Sequence, residues 1–176
     1  MTLRVWPRNI FAAFDHVIVW ATGFAVILLM ASMVTSIVLG VFFRYVLASA
    51  LPWPEEFARF AMIWVTMLGA GLVLRYNGHI AVTFLIEWLP ARARTIVNWA
   101  GLLLVTMFLV LLIVYGAEMT GRVVRQTAPA MQISMSIPNI ALPVGALLML
   151  YHLIVISVAP RYRSPRLPGT QEKPQS

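Results

Sequence analysis

Three histidines are the side chains of this sequence with the most recognisable chemistry. His16, His79 and His152 all fall toward the same end of the apolar segments that hold them. Paired imidazoles on facing helices can ligate b-type haem, so one hypothesis is a haem-carrying membrane anchor of a respiratory redox enzyme. The alternative is that His16 and His79 lie at a membrane interface and His152 makes a hydrogen bond between helices. We favour this alternative and expect neither a cofactor nor a bound metal.

Catalytic chemistry finds little support elsewhere in the sequence. The absence of cysteine removes disulfide, iron–sulfur and thiol chemistry together. No Gly-x-Ser-x-Gly motif is present, and the single aspartate, Asp15, cannot supply the paired carboxylates of an intramembrane protease. We therefore expect that the chain is not an enzyme.

Ion-coupled transport by this chain alone is also disfavoured. Such carriers hold an ionisable group near the middle of the membrane. Here Glu55, Glu56 and Glu118 lie at the ends of apolar segments, and Glu87 lies in a short segment between them. His152 comes closest to the centre of a predicted span. The chain alone is therefore a poor candidate for a pump or an ion-coupled carrier.

The elements that position these residues must be membrane helices. The chain is 61% hydrophobic and 11% charged, which excludes an ordinary soluble domain. About 20 apolar residues cross a ~30 Å hydrocarbon core. We predict an all-α integral membrane protein with one four-helix transmembrane domain over residues 1–160 and a disordered tail over residues 161–176. The predicted spans are about 17–43, 54–77, 95–117 and 137–159.

A short helix is predicted between spans two and three. The stretch from His79 to Arg92 is too short to cross the bilayer and contains Glu87, so we expect it to lie in the membrane interface. Trp88, Arg92 and Arg94 would anchor it among lipid headgroups, with Arg75 and His79 at the same level.

The basic residues give the predicted orientation. The net charge is +7, but these residues lie at the ends of apolar runs and form no patch with interleaved aromatics, so no nucleic-acid partner is expected. With four spans both termini share a side, and that side carries nine basic residues against four. The positive-inside rule then places both termini of this multi-pass membrane protein in the cytoplasm. The nine are Arg4, Arg8, Arg75, Arg92, Arg94, Arg161, Arg163, Arg166 and Lys173, and the four are Arg44, Arg59, Arg122 and Arg125.

The second span has charged residues at both ends. Pro54 suits a first helical position, and Glu55 and Glu56 suit the first turn, where the helix dipole favours anions. Glu55 can pair with Arg59, four residues on, and near the end of span three Glu118 can pair with Arg122 in the same way. These residues either cap and orient the helix or also form an external docking surface. The two roles are compatible.

The order of these motifs resembles the small membrane subunit of the tripartite ATP-independent periplasmic (TRAP) transporters of bacteria. The resemblance covers nearly the whole chain, including the later stretch SIPNIALPVGALLM. The matching positions are Arg44 and Tyr45, then Trp53, Glu55, Glu56 and Arg59, then the LGAG of residues 68–71, and then Arg75 with His79.

The resemblance implies two protein partners besides membrane lipids. In such transporters a periplasmic solute-binding protein delivers an organic acid to a large, usually sodium-driven carrier subunit of the elevator type. The small subunit packs against the fixed scaffold of that carrier and helps to dock the binding protein. We expect the docking surface to contain Arg44, Trp53, Glu55, Glu56, Arg59, Arg122 and Arg125.

Overall fold

The structure is a computed structural model that describes residues 8–77 and 90–158. Within these ranges the chain is helical and contains no strand, apart from an isolated bridge between Thr127 and Ser134. The helices are α1 (Arg8–Tyr45), α2 (Pro54–Asn77), α3 (Ala91–Arg122), α4 (Ser136–Asn139) and α5 (Ala141–Val158).

Four helical segments are long and apolar enough to cross a membrane, which confirms the predicted fold class. They are Ala13–Tyr45, Pro54–Tyr76, Thr95–Arg122 and Ser136–Ser157. The second begins and ends within one residue of the predicted span. The first and third are longer than predicted, because α1 and α3 continue through charged residues at their ends. At 38 residues, α1 is about 57 Å long at 1.5 Å per residue.

Two predicted segments lie outside the described residues. One is most of the interfacial helix between spans two and three, with His79 and Trp88. The other is the tail over residues 161–176. Arg92 and Arg94 fall in the first turn of α3, but their side chains are also outside the described part of the structure.

The long helices form a row in the order α1, α2, α5, α3. Helix α1 packs against α2, α2 against α5, and α5 against α3, and the short α4 packs against α2 and α3. In the most apolar part of α1 and of α3 only 6% of the residues are buried, whereas in that of the span Ser136–Ser157, which contains α5, 33% are buried. The row therefore leaves most of the apolar surface of α1 and α3 uncovered.

Close packing holds the middle of the row together. A Cβ atom at Gly145 of α5 would lie 2.6 Å from Cβ of Met67 on α2, so only glycine fits this approach. On the other side, a Cβ atom at Gly116 of α3 would lie 3.2 Å from Cβ of Leu142. Small residues let membrane helices approach in this way, where lipid provides no hydrophobic force between them.

A break separates α4 from α5 near two prolines. Pro143 has no N–H to donate to the carbonyl of Asn139, so the regular helical ladder is interrupted there. Trp64 of α2 donates its indole N–H to the carbonyl of Ile137, at 3.2 Å, and so holds α4 against α2. The fourth span is therefore divided into α4 and α5.

Candidate functional sites at the two ends of the helix row

The row has two polar ends. We call the end with Arg44, Pro54 and the loop over residues 123–135 the loop end. We call the opposite end, where α1 begins and α2 and α5 finish, the terminal end. Because Gly40 lies against Pro54 while Asp15 contacts Arg75, α1 and α2 are antiparallel.

At the loop end, an ion pair joins the last turn of α1 to the first turn of α2. The Nη2 atom of Arg44 lies 2.9 Å from Oε1 of Glu55, and the two side chains are 51% and 64% exposed. We expected Glu55 to pair with Arg59. It pairs instead with Arg44, because the antiparallel packing brings the end of α1 beside the start of α2.

Glu56 organises the loop between α3 and α4. Its Oε2 atom accepts hydrogen bonds from the backbone N–H groups of Ala130, at 3.0 Å, and Met131, at 2.7 Å. The loop also closes on itself, with the N–H of Ala128 donating to the carbonyl of Ile133 at 2.8 Å. Glu56 is half-buried, so its carboxylate serves the fold of this chain.

The remaining predicted docking residues are exposed at the loop end. Arg122 pairs with Glu118, four residues earlier, at 2.6 Å, as the sequence predicts. Arg59 and Arg125 are exposed and make no ion pair within residues 8–77 and 90–158. Trp53 packs edge-on against Phe57 with ring centroids 6.5 Å apart.

At the terminal end, a buried ion pair joins α1 to α2. Arg75 donates from Nη1 to Oδ1 of Asp15 at 2.7 Å, and its Nη2 donates to the other carboxylate oxygen, so the pair is bidentate. The side chains are 11% and 6% exposed. The hydroxyl of Tyr151 on α5 donates to the same Oδ1 at 3.2 Å.

His152 completes this group from α5. It is 0% exposed, and its Nδ1 lies 3.4 Å from Nη1 of Arg75. Arginine only donates, so Nδ1 must accept and Nε2 carries the hydrogen of the neutral ring. Nε2 is buried and has no hydrogen-bond partner among the described residues. We call Asp15, Arg75, Tyr151 and His152 the terminal cluster.

The sequence analysis missed this cluster. We expected Arg75 at the level of the lipid headgroups, and the structure adds that its guanidinium is enclosed against Asp15. The predicted interhelical hydrogen bond of His152 is present, with Arg75 as its partner. Asp15 entered the sequence analysis only as a single aspartate that cannot form the carboxylate pair of a protease. A signal was available, since opposite charges lie near the same end of two antiparallel spans.

Neither described histidine is arranged for haem. One nitrogen of His152 faces Arg75 and the other is enclosed by protein, while His16 is exposed. Within residues 8–77 and 90–158, no three histidine, aspartate or glutamate side chains are grouped so as to hold a metal ion.

The geometry can be set beside known proteins. Residues 33–161 match the family model of the tripartite ATP-independent periplasmic transporters, DctQ component. The chain belongs to this family. The four membrane-length helices and the DctQ match together make it a multi-pass small permease subunit of a TRAP transporter, and they do not favour the haem-anchor alternative.

Relatives of this DctQ chain include both small and long permeases. It is 26% identical over 123 residues to the sialic acid TRAP transporter small permease protein SiaQ of Vibrio cholerae, covering 70% of this chain and 71% of SiaQ. It is 32% identical to the sialic acid TRAP transporter permease protein SiaT of Haemophilus influenzae, covering 63% of this chain but 18% of SiaT. It is 30% identical to the isethionate TRAP transporter permease protein DctMQ of Oleidesulfovibrio alaskensis, covering 61% of this chain and 17% of DctMQ.

Proposed function

We propose that this DctQ chain is the scaffold of a TRAP transporter, which packs against a large carrier subunit and helps to dock a periplasmic solute-binding protein. The observation that carries the proposal is the open row of helices. Helices α1 and α3 each have one extensive neighbour, and large apolar side chains are exposed along both of them. A membrane partner can cover such a surface.

The long relatives support a large membrane subunit as that partner. In SiaT and DctMQ the region similar to this chain occupies less than a fifth of a longer permease. Covalent joining of two regions in some relatives indicates that the regions work as one assembly. We infer that this chain makes the corresponding association.

The charge distribution supports one orientation in the inner membrane. The side that carries the termini has nine basic residues and the other has four. By the positive-inside rule, the terminal end faces the cytoplasm and the loop end faces the periplasm. The loop end is then the surface available to a solute-binding protein.

The exposed charges of the loop end suggest the chemistry of docking. Four arginines are exposed there, and the exposed glutamates beside them are Glu55 and Glu118. Arg59 and Arg125 are the arginines without an ion pair in the described part of the chain. We infer that they attract an acidic patch on the binding protein, since complementary charge at the rim of an interface steers association.

The transported solute is expected to be an organic acid carried by the large subunit with sodium. The relatives' names include sialic acid and isethionate, both of which are acids. Glu55, Glu56 and Glu118 lie at the loop end, and Asp15 is fully engaged by Arg75 and Tyr151. This chain is therefore inferred to support transport and to perform neither the ion coupling nor any catalysis.

Binding of the solute-binding protein to the nanodisc-embedded complex with the large subunit tests this proposal without knowledge of the solute. The variant Arg59→Glu/Arg125→Glu should weaken binding by about tenfold, while the large subunit still co-purifies. The matched control Arg59→Lys/Arg125→Lys keeps both charges and should bind normally. Unchanged binding by the charge-reversed complex would refute the docking role. Solute uptake by proteoliposomes that contain only this chain would refute the scaffold role.

A further inference from the structure

We propose that the terminal cluster is a positioning site that fixes the register of α1 along α2 and α5. Helix α1 is an edge helix, and most of its hydroxyl groups bond within their own helix. Thr22 donates to the carbonyl of Ile18 at 2.7 Å, and Ser32 donates to that of Leu29 at 2.9 Å. These side chains do not hold α1 to its neighbour.

Among the described residues, three polar side chains of α1 contact another helix. Two of them lie at the loop end and one at the terminal end. Ser36 donates to the carbonyl of Pro54 at 3.1 Å, and Arg44 pairs with Glu55. Both contacts belong to the loop end. Asp15 is 21 residues before Ser36, about 31 Å along the helix. Over that length α1 is held by apolar contacts, and in lipid these contacts have no hydrophobic driving force behind them.

The geometry of Asp15 allows one register. Its carboxylate accepts two hydrogen bonds from the guanidinium of Arg75 and one from Tyr151, so α1 is tied to α2 and α5 at a single point. A slide of α1 by one helical turn, about 5.4 Å, would break all three bonds. It would also leave two unpaired charges in an apolar setting, which is the costly state for a buried pair.

His152 holds Arg75 in place for this contact. Its Nδ1 accepts from Nη1 of Arg75, the same atom that donates to Oδ1 of Asp15. His152 thus acts on α1 through Arg75.

The cluster extends beyond the part of the chain that identifies the family. Arg75, Tyr151 and His152 fall inside the matched residues 33–161, whereas Asp15 lies before them. The register of α1 is therefore inferred from this chain's own contacts and does not depend on the proposed docking or transport roles.

Distance measurements between spin labels on the full-length chain in nanodiscs test the proposal. The natural chain has no cysteine, so labels can be placed in pairs without background. One pair, at the exposed residues Val17 and Val73, reports on the terminal end. A second pair, at the exposed residues Val38 and Met62, reports on the part of α1 nearer the loop end.

Because α1 is one continuous helix, a slide moves both labelled positions. The variant Asp15→Asn should therefore shift or broaden both the Val17–Val73 and the Val38–Met62 distances, by up to about one turn, 5.4 Å. The exchange Asp15→Arg/Arg75→Asp should restore narrow distributions. If Asp15→Asn does not fold, Tyr151→Phe, which removes the hydrogen bond to Asp15, should broaden the same distances more weakly. Unchanged distances at both pairs would overturn the proposal, because the cluster would then set no register.

Discussion

Helices α1 and α2 are joined by an ion pair at each end, and the two pairs differ in their surroundings. Arg44 and Glu55 at the loop end are more than half exposed and share one contact of 2.9 Å. Asp15 and Arg75 at the terminal end are almost fully buried, bidentate and bonded to Tyr151 as well. An exposed pair contributes about 0–1 kcal/mol to stability. Breaking a buried pair by removing one partner costs about 3–5 kcal/mol.

The difference indicates separate uses for the two ends. Charges that remain in water are available to a partner protein and contribute little to the fold. Charges enclosed between helices are unavailable to partners, but they determine which helices meet and at what level. Arg75 illustrates why the position of a charge at the end of a span is insufficient to decide between these uses.

The largest effect is expected from removing one buried charge. Asp15→Asn leaves the guanidinium of Arg75 without its carboxylate, and we expect the free energy of unfolding to fall by about 3–5 kcal/mol. Thermal unfolding of the purified chain in detergent measures this. The neutral double variant Asp15→Asn/Arg75→Gln should lose less stability than Asp15→Asn alone. A larger loss in the double variant would mean that the cluster does not act as a charge pair.

The second prediction concerns Glu56, a loop-end carboxylate that is half-buried. Glu56→Ala leaves the N–H groups of Ala130 and Met131 unpaired, at a cost of about 1–3 kcal/mol for the loop. Hydrogen exchange over residues 124–135 should become faster while α1 and α2 stay protected. Glu56→Gln keeps an acceptor oxygen and serves as the control. Protection of the loop that survives in Glu56→Ala would show that other contacts hold it.

The third prediction compares both ends with the middle of the row, where packing replaces charge. Gly145→Ala would bring a Cβ atom within 2.6 Å of Met67, and relief of that overlap should cost about 1–3 kcal/mol. Gly69→Ala is the matched control, because a Cβ atom there meets nothing within 4 Å. If the two variants have equal melting temperatures, the close approach of α2 and α5 is not needed.

The smallest effect is expected at the exposed pair. Glu55→Gln should change the free energy of unfolding by no more than about 1 kcal/mol, and the change should shrink as salt is raised. The same thermal unfolding assay at low and high salt measures it. A loss comparable to that of Asp15→Asn would remove the contrast between the two ends.

The sequence was sufficient to predict the helices and insufficient to predict which helices pack against each other. The apolar runs predicted four spans, and the Pro54–Glu55–Glu56 start placed α2 correctly because those residues fit a helix N-terminus by local physics. The order α1, α2, α5, α3 could not be predicted. In a membrane, a lipid-facing side and a helix-facing side are both apolar, so periodicity does not identify the contact face.

The contacts at the candidate sites also differ in whether the sequence could predict them. The Glu118–Arg122 pair was predicted because it depends on two residues four apart on one helix. The hydrogen bond between Ala130 and Glu56 joins residues 74 positions apart. The ion pair between Asp15 and Arg75 joins residues 60 positions apart. Such contacts depend on how the helices are arranged. The docking role remains a prediction for all seven residues, which are Arg44, Trp53, Glu55, Glu56, Arg59, Arg122 and Arg125.

The place of α5 within the row has a consequence for biosynthesis. The chain is made from its N-terminus, so α5 is the last of the described helices to leave the ribosome, yet it packs between α2 and α3 and supplies Tyr151 and His152. Until it arrives, the hairpin of α1 and α2 has no extensive contact with α3 in the described structure. A nascent chain that ends before Ala141 would therefore hold α1–α2 and α3 as two separate membrane pieces, with an incompletely enclosed Asp15–Arg75 pair.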